Sequence, residues 1–352
     1  MKYYTSTTEF NCGIDLHGRQ MYICVMDRQG NILVHCNIQG NDFAYFLKKV
    51  APYRHSLTVV CECIFNWYFL ADACEVEGIT FVLAHALYLK AIHGGKNKND
   101  RIDSEKLAHL LRANLIPPSY VYPGEKRPVR ALLRQRMTYV WRRAELLTRV
   151  TMGQLAEGME PARHGHPGHR DPWEEQLMES YKNPLHQFGA QIDLNMIRLY
   201  DQMIEKLETE LLRITKRDAC KEFNLLQTIH GVGNVLSLTI LYEMHTVARF
   251  PTVKNFLSYA RLVKGSVASA GKIKGLRGGK LGNPYLRWAF GEAAVIAKRS
   301  HPMLKEFAKR LEIKHGKFKA NGILAAKLAR AVYFMLRDGT AFDLEKLVAT
   351  SI

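Results

Sequence analysis

The sequence predicts a mixed α/β sheet at the N-terminus followed by a region that is mainly helix. Three observations carry this. Residues 10–38 hold three strand-like apolar runs separated only by short turns. Strand and helix patterns then alternate up to residue 92. From about 125 onward apolar residues recur at helical spacings of three and four, the signature of packed helices.

In FNCGIDLHGRQMYICVMDRQGNILVHCNI the turn signals are HGRQ and DRQGN, and β-branched and other apolar residues fill the runs between them. A helix is expected over 41–51, a strand over 57–62 (LTVVCE), a helix over 66–77, a strand over 79–84 (ITFVLA) and a short helix near 86–92. The order is βββ-α-β-α-β-α. Three meandering strands and two more joined through helices make a mixed sheet covered on both faces. The expected domains are 1–124, a helical coiled-coil region at 125–220 and a mainly α C-terminal domain at 221–352. In the middle region Ile192, Met196, Leu199, Met203, Leu207 and Leu211 read as a coiled-coil seam. Helices near 284–298, 302–313 and 320–337 close the chain.

Composition narrows the function classes. The 352 residues are 47% apolar, which is globular, and carry a net charge of +17. Such an excess attracts polyanions and is rarely needed by an enzyme of small metabolites. No apolar run approaches the length of a membrane span, and MKYYTSTTEF lacks a signal peptide's apolar segment. The seven cysteines form no regular framework and read as buried free thiols of a cytoplasmic protein. His164, His166 and His169, in EGMEPARHGHPGHRDPW, read as part of a solvated connector rather than a metal site.

Acidic residues stand out against this basic background. Asp100 and Asp103 lie three apart at the mouth of a helix in NDRIDSEKLAHLL, on one face. Taken alone they complement a helix dipole, with Asp103 or Ser104 as the cap. Asp15, placed at the middle of the first strand, is costly to bury unless it is paired or bound to metal. Glu62 ends the fourth strand. If strands one and four are neighbours, Asp15 and Glu62 project together, and the helix bearing Asp100 and Asp103 completes a set of four hard oxygen donors suited to Mg²⁺ or Mn²⁺. Two such ions about 4 Å apart would hold a scissile phosphate. This order of elements and acids is that of the RNase H-like (RuvC-like) nuclease fold.

Basic, glycine-bearing stretches follow. Seven bases and no acid lie between Lys126 and Arg143, among them Arg130, Arg134 and Arg142. Tyr139, Trp141, Arg142 and Arg143 are placed to contact RNA, although Trp141 is expected to pack a helix. LLQTIHGVGNVL predicts a helix-hairpin-helix-like unit in which Gly231 and Gly233 let backbone approach phosphate. An ordinary helical hairpin with a glycine turn fits those residues equally. RLVKGSVASAGKIKGLRGGKLGNPYLR has seven bases and no acid, including Lys272, Lys274, Arg277, Lys280 and Arg287.

The chain resembles the DEDD-type insertion-sequence transposases, the family called IS one-ten, described as bridge-RNA-guided serine recombinases. The matching stretches are GIDLHG, the acid in VVCEC, KNDRID, LLQTIHGVG, the RF at Arg249–Phe250, YARLV and SAGKIKGLRGGKLGNPYLRWA. The resemblance implies an acidic tetrad of Asp15, Glu62, Asp100 and Asp103 with Mg²⁺ or Mn²⁺. It also implies a serine nucleophile that forms a 5′-phosphoserine DNA intermediate. Ser269 is preferred and Ser266 is its rival, because the family's serine is followed directly by glycine and Ala270 intervenes here. Implied partners are donor and target DNA, a structured guide RNA and further copies of the chain, from dimer to tetramer. Two alternatives remain: a Holliday-junction nuclease using water at the same acids, and a non-catalytic nucleic-acid scaffold.

Overall fold

The computed structural model describes residues 2–92, 99–161, 171–269, 272–277 and 281–349. The chain divides into two compact units, Met1–Glu125 and Lys126–Ile352.

The first unit is built on five strands: β1 (Phe10–Leu16), β2 (Gln20–Met26), β3 (Ile32–Gln39), β4 (Leu57–Glu62) and β5 (Thr80–Ala84). Their order is β3-β2-β1-β4-β5. Hairpins join the three meandering strands antiparallel, while β4 pairs parallel to both β1 and β5. Helices α1 (Phe43–Val50), α2 (Trp67–Val76), α3 (Ala86–Ile92) and α4 (Asp100–Arg112) complete it. The expected element order and the adjacency of the first and fourth strands both hold.

Alternation along β1 sets the two faces of the sheet. Cys12, Ile14 and Leu16 enter a core with Phe46 and Val50 of α1 and Trp67 and Leu70 of α2. Val60 and Val82 point to the other face, against Leu107, Leu110 and Leu111 of α4. Gly13 lies beneath α4: a Cβ there would sit 2.2 Å from the Ser104 carbonyl oxygen and 2.4 Å from the Ala108 nitrogen. Glycine at this position is what allows α4 to lie directly on the sheet. Asp15, two residues on and one from the strand's end, falls on that same face. It sits at the carboxyl end of β1 rather than at its middle, as the sequence suggested.

The second unit contains α5 (Arg127–Ala156), α6 (Asp171–Ser180), α7 (Pro184–Asp218), α8 (Cys220–Gln227), α9 (Asn234–Met244), α10 (Val253–Tyr259), α11 (Pro284–Ser300), α12 (Pro302–His315), α13 (Lys317–Asp338) and α14 (Leu344–Ala349). It also holds a two-stranded hairpin, β6 (Gly265–Ser269) and β7 (Lys272–Arg277), which helical periodicity did not predict. The long helices α5 and α7 run antiparallel. Arg136 meets Glu208 and Arg143 meets Asp201, both at 2.6 Å, and Arg149 meets Asp193, so rising numbers on one helix match falling numbers on the other. Residues Lys126–Ile352 form one compact unit by contact.

The expected seam on α7 is buried only toward its C-terminal end. Ile192, Met196 and Leu199 are 48%, 39% and 41% exposed, Met203 and Leu207 are half-buried and Leu211 is buried, whereas nearer the N-terminus the buried row is Ala190, Leu194, Ile197 and Ile204. Both rows have coiled-coil spacing, so periodicity alone could not choose between them. Trp141 was expected to pack, yet it is 51% exposed. The thiols also differ from expectation: Cys12, Cys24, Cys61 and Cys74 are buried, Cys36 is half-buried, and Cys63 and Cys220 are exposed.

Around α9 the second unit has its main core. This helix is apolar on all sides and buried, as a central helix should be. The turn before it contains Gly231 at φ +90°, where a Cβ would meet the Ala297 nitrogen of α11 at 2.5 Å. That glycine has a packing role whatever else it does. No described helix is long and apolar enough to cross a membrane.

Candidate metal centre and nucleic-acid surfaces

At the carboxyl end of β1 the chain turns through His17–Arg19 into β2. Asn41 Nδ2 donates to the carbonyls of His17 (3.0 Å) and Gly18 (3.2 Å), and Asn66 Nδ2 to that of His17 (2.9 Å). The turn is thus held from two sides. His17 Nε2 lies 3.2 Å from Asp15 Oδ2 and 3.3 Å from Asp100 Oδ1. Asp15, His17 and Asp100 each offer a ligand atom within 4.8 Å of the others. Gln20 Nε2 donates to Asp100 Oδ2 at 2.9 Å and is itself steadied by Asn37 at 3.2 Å.

Asp100 is free for this role because it does not cap its helix. Asn99 is the N-cap, its Oδ1 accepting from the Ile102 backbone N–H at 2.8 Å. The sequence suggested Asp103 or Ser104 for that task. With capping supplied by Asn99, two carboxylates in the first turn are more than helix initiation requires. Asp103 accepts from Lys106 at 3.2 Å. Burial pushes the Asp15 carboxyl above its ordinary value. His17 counters this, and the charges of Asp100 and Asp103 push it further up. Asp15 therefore lies within electrostatic reach of both α4 acids, and three like charges gather at one end of the sheet.

Glu62 ends β4 one register step beyond the Ile14–Cys61 pair, beside Asp15. It shares parity with Val60, so both belong to the α4 face. Its side chain is exposed, and its carboxylate is not among the three clustered donors. Asp15 and Asp100 are thus in the tight cluster, Asp103 is within electrostatic reach of Asp15, and Glu62 is placed beside Asp15 by strand register alone. Sequence reasoning missed His17 and Gln20. The available signal for His17 was parity, since residues 13, 15 and 17 alternate toward α4. For Gln20 no sequence signal marked it out.

The donor set fits a divalent cation. Clustered carboxylate oxygens suit Mg²⁺ or Mn²⁺, and the imidazole nitrogen tilts the preference toward Mn²⁺ over Mg²⁺. Carboxylates brought this close, one of them pushed toward protonation, are the electrostatic counterpart of a cation-binding site.

In the second unit Ser269 and Lys272 face one another across the β6–β7 hairpin, flanking residues 270–271, and Ser266 pairs with Leu276. Lys274 and Arg277 lie on β7. Lys280 falls outside the described residues, as do His164, His166 and His169. The hairpin's root is fixed at both ends: the Asn283 N–H donates to the Tyr259 carbonyl at 2.6 Å and Arg261 Nε to the Gly282 carbonyl at 2.9 Å. Arg287 is exposed on α11, and Arg142 is exposed and paired with Glu145. Gly233 precedes α9 as its N-cap position.

Arg130 and Arg134 are engaged elsewhere. Both donate to Glu243, a buried carboxylate of α9, at 2.9 and 2.7 Å, and Asn283 Nδ2 donates to it at 2.7 Å. Burial alone would raise this carboxyl, but Arg134, Arg130 and Asn283 outweigh it and hold Glu243 below the usual range. These two arginines serve the interior first.

Two family models match the chain. A DEDD-type transposase model, described as "Transposase", covers residues 12–155, the stretch containing β1, β4 and α4. A second, described as "Transposase IS116/IS110/IS902 family", covers residues 223–309, from within α8 to within α12, including the glycine turn and the β6–β7 hairpin. Comparison of the whole chain with curated proteins gives no match. DEDD transposases imply divalent-metal use, in keeping with the Asp15–His17–Asp100 cluster. The protein therefore carries two regions that match transposase domains of the IS110 family, at residues 12–155 and 223–309.

Proposed function

We propose that the chain is an RNA-guided recombinase that excises and inserts its own mobile element, using Asp15, Glu62, Asp100 and Asp103 as a metal centre and Ser269 as nucleophile. The observation that carries this reading is the convergence of Asp15, His17 and Asp100 within 4.8 Å, in a chain bearing both transposase domains. Asp15, Asp100 and His17 hold the cation, with Glu62 and Asp103 as further oxygen donors from the adjoining strand end and helix turn. The bound ion, Mg²⁺ or Mn²⁺, supplies charge neutralisation and polarisation of the scissile phosphate.

The Ser269 oxygen forms a bond to phosphorus as the bond from phosphorus to the 3′ oxygen breaks. The serine proton passes to the departing 3′ hydroxyl, and the 5′ phosphate stays on the protein. A phosphodiester is exchanged for a phosphodiester, so the reverse step can seal the strand to a new 3′ hydroxyl without an added energy source. Lys272, Lys274, Arg277, Lys280 and Arg287 offset phosphate charge on this segment, with Arg142, Gly231 and Gly233 as further backbone contacts. Sequence choice is delegated to base pairing with a guide RNA, and the large positive charge serves two nucleic acids at once. Assembly of two to four copies brings two DNAs together.

The test is trapping of a protein–DNA adduct under denaturing conditions, with DNA labelled on the 3′ side of the cut and RNA transcribed from the element's flank. Wild type and Ser266→Ala should give the adduct, while Ser269→Ala and Asp15→Asn should not. Cut DNA with a free 5′ phosphate and no adduct would assign the chemistry to water instead. Robust strand exchange by Ser269→Ala would refute the nucleophile.

A further inference from the structure

On α5 a half-exposed tryptophan is stacked rather than packed. The Trp141 indole and the Tyr285 ring lie 6.5 Å apart between centroids with only 14° between their planes. The Arg134 guanidinium sits over the same Tyr285 ring at 4.6 Å. Residues 134 and 141 are two helical turns apart, about 10.5 Å along α5. Tyr285 therefore stands between them, giving a row of guanidinium, phenol and indole.

That row is rigidly mounted. Tyr285 is in the first turn of α11, where its backbone N–H donates to Asn283 Oδ1 at 2.9 Å. Asn283 is 4% exposed and donates in turn to the buried Glu243 carboxylate, which also holds Arg134. A preorganised support of this kind loses little rotamer entropy when a ligand stacks on it. The indole at its outer end keeps half its surface in water, an unusual cost for the largest apolar side chain on a strongly basic helix.

The surrounding charge indicates what covers the indole. The exposed Arg142, ion-paired with Glu145, and Arg287 flank the two ring-bearing positions in sequence, the chain carries a net charge of +17, and α11 begins directly after a hairpin segment with bases and no acid. An exposed indole in a positive field, backed by a stacked arginine, matches an unpaired nucleobase, which offers a π face and carries its own phosphate. A duplex hides its base faces and gains nothing from such a ring.

We infer that Trp141 and Tyr285 form a stacking platform for an unpaired base of single-stranded nucleic acid at the root of the β6–β7 hairpin. This rests on reading the chain as a nucleic-acid enzyme, but not on which residue breaks the strand.

The experiment uses the full chain in a Ser269→Ala background without added metal, so that strand chemistry cannot affect the outcome. Binding of fluorescein-labelled oligo-dT, oligo-U and a mixed-sequence DNA duplex is measured for the parent, Trp141→Ala and Trp141→Phe across a salt series. Loss of one base stack should weaken single-strand binding about 5- to 150-fold in Trp141→Ala. Trp141→Phe should retain most of the affinity, and duplex binding should be unchanged. The salt slope should stay the same, because no phosphate contact is removed. Loss with oligo-dT alone would identify DNA as the source of the base, loss with oligo-U alone RNA, and loss with both either strand. Unchanged single-strand binding by Trp141→Ala, or an equal loss on duplex, would overturn the platform. Melting temperatures of the variants within about 2 °C of the parent separate lost stacking from lost folding.

Discussion

Replacing Gly13 by alanine adds one carbon at the point where the sheet touches the helix that brings Asp100 to Asp15. The new Cβ would lie 2.2 Å from the Ser104 oxygen, 2.4 Å from the Ala108 nitrogen and 2.8 Å from the Leu107 Cβ. Two of these three atoms are backbone, so no side-chain rotation relieves the clash. Ordinary contact requires separations above 3 Å, and α4 must back away by about 1 Å. Overpacking of this kind costs about 1–3 kcal/mol, or roughly 3–15 °C in melting temperature for a unit of this size. The effect on the centre is sharper, because metal–ligand distances tolerate only about 0.2 Å, and a shift of about 1 Å carries Asp100 out of range. Thermal unfolding with and without Mn²⁺ reads both effects. In the wild type, Mn²⁺ at 100 times its Kd should add about 2.7 kcal/mol of stability, and Gly13→Ala should lose most of that gain. Gly18→Ala is the control, since a Cβ there meets only Phe65 Cζ, at an ordinary 3.5 Å. A Gly13→Ala protein that melts like wild type and is stabilised equally by Mn²⁺ would refute the link between helix approach and metal site.

Glu243→Ala leaves Arg130 and Arg134 with their shared buried partner gone, and should destabilise the second unit by about 3–5 kcal/mol in denaturant unfolding. Because the folded-state pKa of Glu243 is depressed, its contribution is complete above the ordinary glutamate value of 4.5 and lost as pH falls through the lower folded value; wild type should weaken over that acid range more steeply than Glu243→Ala. On α7, Leu194→Ala should cost about 2–5 kcal/mol and Met196→Ala less than about 0.5 kcal/mol, since only the first is buried. Equal losses at both positions would mean that Met196 is also covered. His17→Ala should weaken Mn²⁺ binding more than Mg²⁺ binding, as an imidazole donor favours the former; equal effects on both ions would remove His17 from the donor set.

Much of the first unit was legible because its strands are short, apolar and bounded by turn residues. Period-two alternation then fixes which residues share a face, and that placed Asp15 and Glu62 side by side once the sheet order was inferred. The cap of α4 was misread because Asn99, Asp100, Asp103 and Ser104 are all capable caps, and only geometry shows that Asn99 takes the Ile102 N–H. His17 escaped notice for a related reason: it lies just past β1, in a turn whose conformation depends on the distant Asn41 and Asn66. On α7 two apolar rows satisfied the same spacing, and the choice was made by its neighbours: α5, through Arg143 and Arg149, and the small core around Trp173 and Leu177. The role of Arg130 and Arg134 was hidden because their partner Glu243 lies more than a hundred residues away, inside an otherwise apolar helix.

The central claim is that Asp15 and Asp100 share one divalent cation. The most direct test is the anomalous difference density of a crystal soaked in Mn²⁺. The account predicts a peak about 2.1 Å from a carboxylate oxygen of each residue, adjacent to His17 Nε2, and no such peak in an Asp15→Asn crystal. A wild-type crystal with no peak at this end of the sheet, or with the ion held by other side chains, would contradict it.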